Sequence, residues 1–357
     1  MKIGIIAGPY LPVPPVKYGG TEQVIHYILK GLEATDNEVY LIASGDSKVS
    51  CNLLPSCPEA LYFAKTPEEL PAHDLLVQEA NEVMKKHIIE LSKTVDIIHS
   101  HYNVATQMIA ELIDAKIINN IPVLTTIHGS LVFDTHEFYN KYKNMYFNSI
   151  SCNQQKNYPS LKYVANIYNS EDPLEFHTST PEDYICFIGR FDREKNPHIA
   201  IKFAIAANIK IKVAGKIDHL GSLYFKEEVE PYFSHPLVEY LGELNFEQKV
   251  KLMSHSKLNL HPTGFREPFG LTVLEAQYCG VPTLAINKGA MSEIIEDGRT
   301  GLLVEDFEEG IHKIEELFAM DREYIRDRAS HLFNYTKMTQ EYIKAYQKVI
   351  ILTNDHQ

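Results

Sequence analysis

The stretch from His261 to Gly280, HPTGFREPFGLTVLEAQYCG, puts a strand end, a polar turn and the start of an apolar helix in direct succession. Lys257 to His261 (KLNLH) is a short extended run, and Pro262 biases the residue before it away from helix, so the strand stops there. A loop follows from Thr263 to Phe269. From Leu271 the apolar positions Leu271, Leu274, Ala276 and Tyr278 fit a helix, and Gly280 stands where a helix C-terminus takes a positive φ. Phe269-Gly270-Leu271-Thr272 is therefore a helix N-terminus. Its unpaired N–H groups and positive dipole end suit a phosphate, and Gly270 lets that phosphate approach the backbone. Glu267 precedes the helix and Glu275 lies inside it, so both carboxylates would reach hydroxyls beside a seated phosphate. Taken singly, each is also explained as a first-turn acid or a solvated helix residue.

Outward from this stretch, short aliphatic runs alternate with helical patterns. Lys2 to Ala7 (KIGIIA), bounded by Gly8-Pro9, reads as a buried parallel strand. After a proline- and glycine-rich loop, Gly19-Gly20-Thr21-Glu22 opens an amphipathic helix through Leu32. Strands are predicted at Glu38–Ala43, Val95–His99, Val123–Ile127, Ser149–Cys152 and Tyr163–Ile167, with helices at Asp74–Leu91 and Ala105–Ile113. Pro173 to Glu182 reads as a linker and hinge. A second series of strands covers Tyr184–Ile188, Ile209–Ala214, Val238–Leu241, Lys257–Leu260, Thr283–Ile286 and Gly301–Val304. A final helix, Thr336–Thr353, has no strand after it and could cross back to the first half.

The fold class is thus α/β with two Rossmann-like domains. Residues 1–172 form the first, 173–335 the second, and 336–357 a helix packing back on the first. The length of 357 residues agrees with two cores.

A formal net charge of −13 argues against nucleic acid as a partner. The five cysteines, Cys51, Cys57, Cys152, Cys186 and Cys279, have no CxxC spacing, and no HExxH or Asp-x-Asp pair suggests a metal. The amino-terminal run is too short for a signal peptide, and no run spans a membrane, so a cytoplasmic chain with reduced thiols is expected. The absence of GxGxxG after the first strand removes the main support for a nicotinamide enzyme, and that of GxSxG the support for a serine hydrolase.

In open α/β sheets ligands bind beyond the carboxyl ends of strands, which singles out Gly20, His99, His101, His128, Gly189-Arg190 and Gly215-Lys216. Arg190 and Lys195 on one strand-to-helix turn can neutralise a diphosphate, the first by a fork of N–H groups and the second as a point charge. Asp192, Arg193 and Glu194 could instead make that turn an ordinary ion-paired surface. No arginine precedes Arg190, so anion binding belongs to the second half. His128 ends the strand VLTTIH, where a histidine is either a structural hydrogen-bonder or a reacting group.

The second half resembles the retaining glycosyltransferases of family 4, which have the fold called GT-B, two Rossmann-like domains facing across a cleft. The resemblance rests on FIGRFDREKNP (Phe187 to Pro197), VAGK (Val213 to Lys216), VEYLGEL (Val238 to Leu244) and EPFGLTVLEA (Glu267 to Ala276), whose glutamates fit Glu-x7-Glu. GVPTLA (Gly280 to Ala285) and GAMSEIIEDGRTGLLV (Gly289 to Val304) extend it. The first half adds GGTE (Gly19 to Glu22), HSHY (His99 to Tyr102) and TTIHG (Thr125 to Gly129). Asn169-Ser170-Glu171-Asp172 carries serine where the family commonly has glycine.

The resemblance implies that Arg190 and Lys195, with Gly189, Gly215 and the backbone from Phe269 through Gly270 and Leu271 to Thr272, hold the diphosphate of a nucleotide sugar. It implies that Glu275 binds ribose, that Glu267 binds the transferred sugar, and that Tyr240 and Leu241 contact the base. His128 would lie at the reaction centre, Gly20 would approach the donor, and His101 and Tyr139 would lie on the acceptor side. A UDP-sugar is favoured over a GDP-sugar. The acceptor is a glycan, a lipid-linked sugar or a small molecule, and no cofactor or metal is expected. Phe138 to Tyr146 (FYNKYKNMY) reads first as a mobile acceptor-side helix or partly packed core, and could instead lie on a membrane surface beside a lipid-linked acceptor, giving peripheral contact at the inner face. The competing readings are a GT-B epimerase or phosphorylase and a non-catalytic nucleotide-sugar-binding protein.

Overall fold

Lys2–Ile6 (KIGII, β1) is apolar after its first residue, and four of its five residues are buried, as a strand covered on both faces must be. The computed structural model describes residues 1–62, 69–129, 142, 145–217 and 222–355. The chain divides into two units, Met1–Glu171 with Tyr335–Gln357, and Asp172–Asn334.

In the first unit, β1 is followed by β2 (Glu38–Ser44), β3 (Asn52–Cys57), β4 (Ile97–Ser100), β5 (Val123–Thr126), β6 (Tyr146–Ser149) and β7 (Lys162–Asn166). They form one parallel sheet in the order β3-β2-β1-β4-β5-β6-β7, so the direction of winding reverses between β1 and β4. The helices Gly20–Glu33, Leu70–Leu91 and Asn103–Asp114 join the strands. Ile6, Ile42, Met84, Ile88, Ile98 and Ile109 pack in its core.

Two elements differ from the sequence expectation. β3 (NLLPSC) was not anticipated, because Pro55 breaks a strand pattern; it is tolerated where β3 lies at the sheet edge. The strand expected at Ser149–Cys152 occupies Tyr146–Ser149 instead, pairing Leu124 with Tyr146. Ser151 serves as a helix cap, its Oγ accepting from the Gln154 N–H at 3.1 Å.

The carboxy-terminal helix, Tyr335–Asn354, belongs to the first unit. Gly31 leaves the space that Thr339 fills, since a Cβ at Gly31 would lie 2.0 Å from Thr339 Oγ1. Tyr342 and Tyr346 of this helix are fully buried.

The second unit repeats the plan with β8 (Ile185–Ile188), β9 (Ile211–Ala214), β10 (Val238–Tyr240), β11 (Asn259–His261), β12 (Thr283–Ile286) and β13 (Gly301–Val304). Their order is β10-β9-β8-β11-β12-β13, with the reversal between β8 and β11. Phe187, Phe191, Ile201, Leu260 and Leu284 lie in its core.

The segment read as a linker and hinge, 173–182, is mostly exposed and is anchored to this unit at Phe176. Asp172 caps a turn at Pro173–Glu175, and the buried Phe176 ring meets Tyr278 and Phe246 at centroid distances of 5.1 and 5.3 Å. Arg326 donates to the carbonyls of Phe176 and Pro173 at 3.0 and 3.2 Å. Among the described residues no helix is long and apolar enough to cross a membrane.

Candidate active site

In the second unit the reversal of strand order brings the loops after β8 and β11 side by side, the place where such sheets bind ligands. The loop after β8 is a tight turn. Asp192 Oδ1 accepts from the N–H groups of Glu194 and Lys195 at 3.0 and 2.9 Å, and Asn196, with φ of 51°, leads into the helix that Pro197 begins. That turn aims Lys195 at the loop after β11. The two loops are tied by the Gly264 N–H to the Glu194 carbonyl at 3.1 Å and by Asn196 Nδ2 to the Pro262 carbonyl at 3.1 Å.

Lys195 Nζ donates to Glu267 Oε2 and lies 4.9 Å from the centre of the Phe265 ring. His261 Nε2, at the end of β11, is 3.6 Å from the same carboxylate oxygen. Burial alone would raise the Glu267 carboxyl, but the Lys195 ammonium and the His261 ring outweigh it and hold it at about 2. Burial keeps His261 below its usual value. Glu267 is thus a buried, ionised acceptor. Its backbone is held as firmly: the Ala290 N–H donates to the Glu267 carbonyl at 2.9 Å, and a Cβ on Gly289 would lie 2.2 Å from that oxygen. Only glycine fits at 289, where φ is +65°.

The helix Leu271–Tyr278 starts at Gly270, with φ of +102° and no side-chain cap. Leu271 and Thr272 are half-buried, and their N–H groups, in the first turn, have no partner within the helix. Glu275, in its second turn, is 3% exposed. Lys249 Nζ, from the helix Phe246–Ser254, donates to Glu275 Oε1. Glu275 Oε2, and Thr263 Oγ1 in the loop after β11, are buried without a hydrogen-bond partner among the described residues.

Arg190 takes the ion-paired course that its neighbours allow, 3.1 Å from Asp192 and 2.9 Å from Glu194. Gly189 and Gly215 close the adjoining strand ends: the Gly189 N–H donates to the Ala214 carbonyl at 3.1 Å and the Gly215 N–H to the Gly242 carbonyl at 2.9 Å. The Leu241 N–H is already donated to the Val213 carbonyl at 2.9 Å. Tyr240 stacks on Phe233 at a centroid distance of 4.6 Å and is 37% exposed, so its ring has a free edge.

In the first unit, Gly20 is the first residue of its helix, and Glu22 in the same first turn is buried, which pushes its carboxyl up to about 7. His128 follows β5. Its Nε2 is 2.7 Å from His101 Nδ1, and His101 Nε2 is 3.2 Å from His99 Nδ1. His101, expected on the acceptor side, is therefore a buried link behind His128 with both ring nitrogens engaged. Tyr139 lies outside the described residues, as does all of 138–146 except Tyr142, Met145 and Tyr146. No group of three or more His, Cys, Asp or Glu side chains among the described residues could hold a metal ion.

Lys249 and His261 were not singled out by sequence. The strand-end rule placed His261 at the end of its strand but gave its side chain no role, because its partner Glu267 is set by the fold of the loop between them. Nothing local marks Lys249, which reaches Glu275 only because two helices pack together.

The Glycosyl transferases group 1 family matches residues 171–331, and Glycosyltransferase Family 4 matches residues 18–157. An uncharacterized glycosyltransferase of Methanocaldococcus jannaschii is 30% identical over 62% of this chain and 64% of its own length. Sucrose-phosphate synthase from Thermosynechococcus elongatus superposes with a TM-score of 0.78 at 18% identity, covering 98% of this chain and 99% of that one. The HepE protein of Anabaena in complex with UDP and glucose does so with a TM-score of 0.73 at 16% identity, covering 97% and 99%. The two parallel sheets are those of GT-B glycosyltransferase structures. With both halves matched in sequence and the fold shared, the chain belongs to family 4 of the glycosyltransferases.

Proposed function

We propose that the protein is a retaining, metal-independent transferase that moves a hexose from a nucleotide-diphosphate sugar to a glycan or lipid-linked acceptor, with UDP favoured over GDP. The observation that carries this reading is the convergence, at the carboxyl ends of the central strands β8 and β11, of Lys195, buried Glu267 and an uncapped helix end that carries buried Glu275, with Arg190 on the same turn as Lys195 and held there by Asp192 and Glu194. The amide end and the two cations suit a diphosphate. Glu275 Oε2 and Thr263 Oγ1 are orphaned acceptors or donors of the kind that sugar and ribose hydroxyls satisfy. The UDP bound by the HepE relative supports the choice of base.

Retention follows in this reading from what Glu267 can do. Its carboxylate, shared by Lys195 and His261, is better suited to accept hydrogen bonds from sugar hydroxyls than to attack carbon. Substitution then proceeds on one face. The bond from the anomeric carbon to the diphosphate oxygen breaks through an oxocarbenium-like state, the acceptor oxygen bonds to that carbon, and the acceptor proton passes to the departing phosphate. Lys195, Arg190 and the amides of Leu271 and Thr272 stabilise the leaving diphosphate, commonly the largest electrostatic service a site supplies. A donor screen reading UDP and GDP release, with and without a lysate as acceptor source, tests the proposal, and the anomeric coupling of the product reads the stereochemistry. Donor consumption without acceptor would favour the epimerase reading, and an inverted product would sink retention.

A further inference from the structure

Glu275, the carboxylate read as the ribose contact, is held from outside its own helix. Lys249 Nζ donates to its Oε1, and the two side chains are only 21% and 4% exposed. The second oxygen, Oε2, is buried and has no hydrogen-bond partner among the described residues. A buried carboxylate oxygen without a donor is costly, and an arriving hydroxyl is the group that would satisfy it.

The place of Lys249 is set by packing and not by the pair itself. Its helix, Phe246–Ser254, begins with a reciprocal cap in which Asn245 Oδ1 accepts from the Gln248 N–H at 2.9 Å and Gln248 Oε1 accepts from the Asn245 N–H at 3.0 Å. One turn in, the Lys249 N–H donates to the Asn245 carbonyl at 2.9 Å, and the ammonium lies 5.5 Å from the centre of the Phe246 ring. Phe246 meets Phe176 at a centroid distance of 5.3 Å, Phe176 meets Tyr278 at 5.1 Å, and Tyr278 is the last residue of the helix that carries Glu275. That aromatic row ties the two helices together, and the ion pair spans the same gap. With one oxygen fixed on Lys249, the tip of the Glu275 side chain is fixed, and the other oxygen points away from the ammonium.

We propose that Lys249 sets the preference of this site for ribose over deoxyribose: by holding one oxygen of Glu275, it presents the other to the vicinal hydroxyls of a nucleoside diphosphate. Ribose hydroxyls donate hydrogen bonds, and a sugar lacking one of them leaves a buried acceptor unpaired, the condition under which a site rejects an analogue most strongly. Lys249 is a positioning residue, since its ammonium acts through Glu275 and need not touch the ligand. The inference rests on the transferase reading above for the class of ligand and adds the residue that selects its sugar.

Calorimetric titration of the full chain with UDP and GDP, and with the 2′-deoxy and 3′-deoxy forms of whichever binds, tests this without an acceptor. The wild type should bind at least one deoxy form roughly 10- to 100-fold more weakly than the ribonucleotide, the usual cost of leaving a charged acceptor unpaired. Lys249→Met should weaken the ribonucleotide on the order of tenfold and the deoxy form little, so that their ratio narrows by about as much. In turnover it should raise the donor KM and leave kcat within about twofold, a split that a general loss of structure would not produce. Lys249→Met with Glu275→Gln should bind like Glu275→Gln alone, because the lysine acts through the glutamate. A wild type that binds all forms alike overturns the proposal. So does a Lys249→Met chain that keeps the wild-type ratio or binds the ribonucleotide more tightly, and so does a double variant about tenfold weaker than Glu275→Gln. Should Lys249→Met lose its cooperative melt, the comparison of Glu275→Gln with the double variant, from which both charges are gone, decides. A chain that binds neither UDP nor GDP sinks the transferase reading and this inference with it, whereas one that turns over a nucleotide sugar with a ratio unmoved by Lys249→Met sinks this inference alone.

Discussion

Lys195→Met removes the ammonium that faces Glu267 and keeps the length of the side chain. In the wild type the two side chains are only 18% and 11% exposed, so the carboxylate cannot recover its hydration when its partner goes. Burial pushes that carboxyl up, and the pair with Lys195, aided by His261, brings it to about 2 from a reference of 4.5. A downward shift of this size corresponds to roughly 3 kcal/mol. Because the folded value is depressed, this stabilisation is present above the unfolded value and is lost as pH falls toward 2. Removing one partner of a buried pair typically costs about 3–5 kcal/mol, which agrees in scale. A domain of this size should then lose about 6–12 °C in melting temperature at pH 7. The melting difference between wild type and variant should narrow on acidification, because the stranded Glu267 of the variant takes up a proton, and the double change Lys195→Met with Glu267→Gln should recover most of it. Thermal melts from pH 4 to 8 measure this, and turnover should drop on the order of 10²-fold for want of leaving-group stabilisation. A variant that melts within 1 °C of wild type, about a third of a kcal/mol, or that turns over at the wild-type rate, would refute the reasoning.

Glu275→Gln should raise the donor KM by roughly 10- to 100-fold with little change in kcat, since a ribose contact is as strong before the transition state as in it; steady-state kinetics separate the two. Glu22→Gln should remove a pH dependence. Burial raises that carboxyl to about 7, so its contribution to wild-type stability falls by on the order of 3 kcal/mol as pH climbs from 4.5 to 7, and the urea midpoint of the variant should rise relative to that of the wild type over that range. Arg322→Ala should cost about 2–4 kcal/mol in urea unfolding, because its guanidinium donates at 2.9 Å to the carbonyls of Ser254, the last residue of one helix, and of Ser256 just beyond it. Gly289→Ala should cripple turnover while leaving binding of free nucleotide nearly intact, as its Cβ would push against the backbone of Glu267, which handles the sugar in this reading; product release and nucleotide titration distinguish the two.

Much of this molecule is local in origin. The aliphatic run KIGII, the stop that Pro262 imposes after His261, and Gly270 and Gly280 at the two ends of one helix follow from torsional preference and burial over a few residues. So does the placing of Arg190, Lys195, His128 and Glu267 at strand ends, which is why they could be named before any coordinates. The strand at Asn52–Cys57 escaped that logic because Pro55 is forbidden inside a sheet and allowed at its edge, and which strand forms the edge is decided by sheet order. The partners of the charges escaped it too. Lys195 meets Glu267 across 72 residues of chain, Lys249 meets Glu275 across 26, and the His99 ring meets Tyr346 across 247. A side chain carries its charge or its proton in its own chemistry, but what neutralises that charge or receives that proton depends on which strands become neighbours and which helix packs over them, and only the tertiary structure brings those groups within hydrogen-bonding distance.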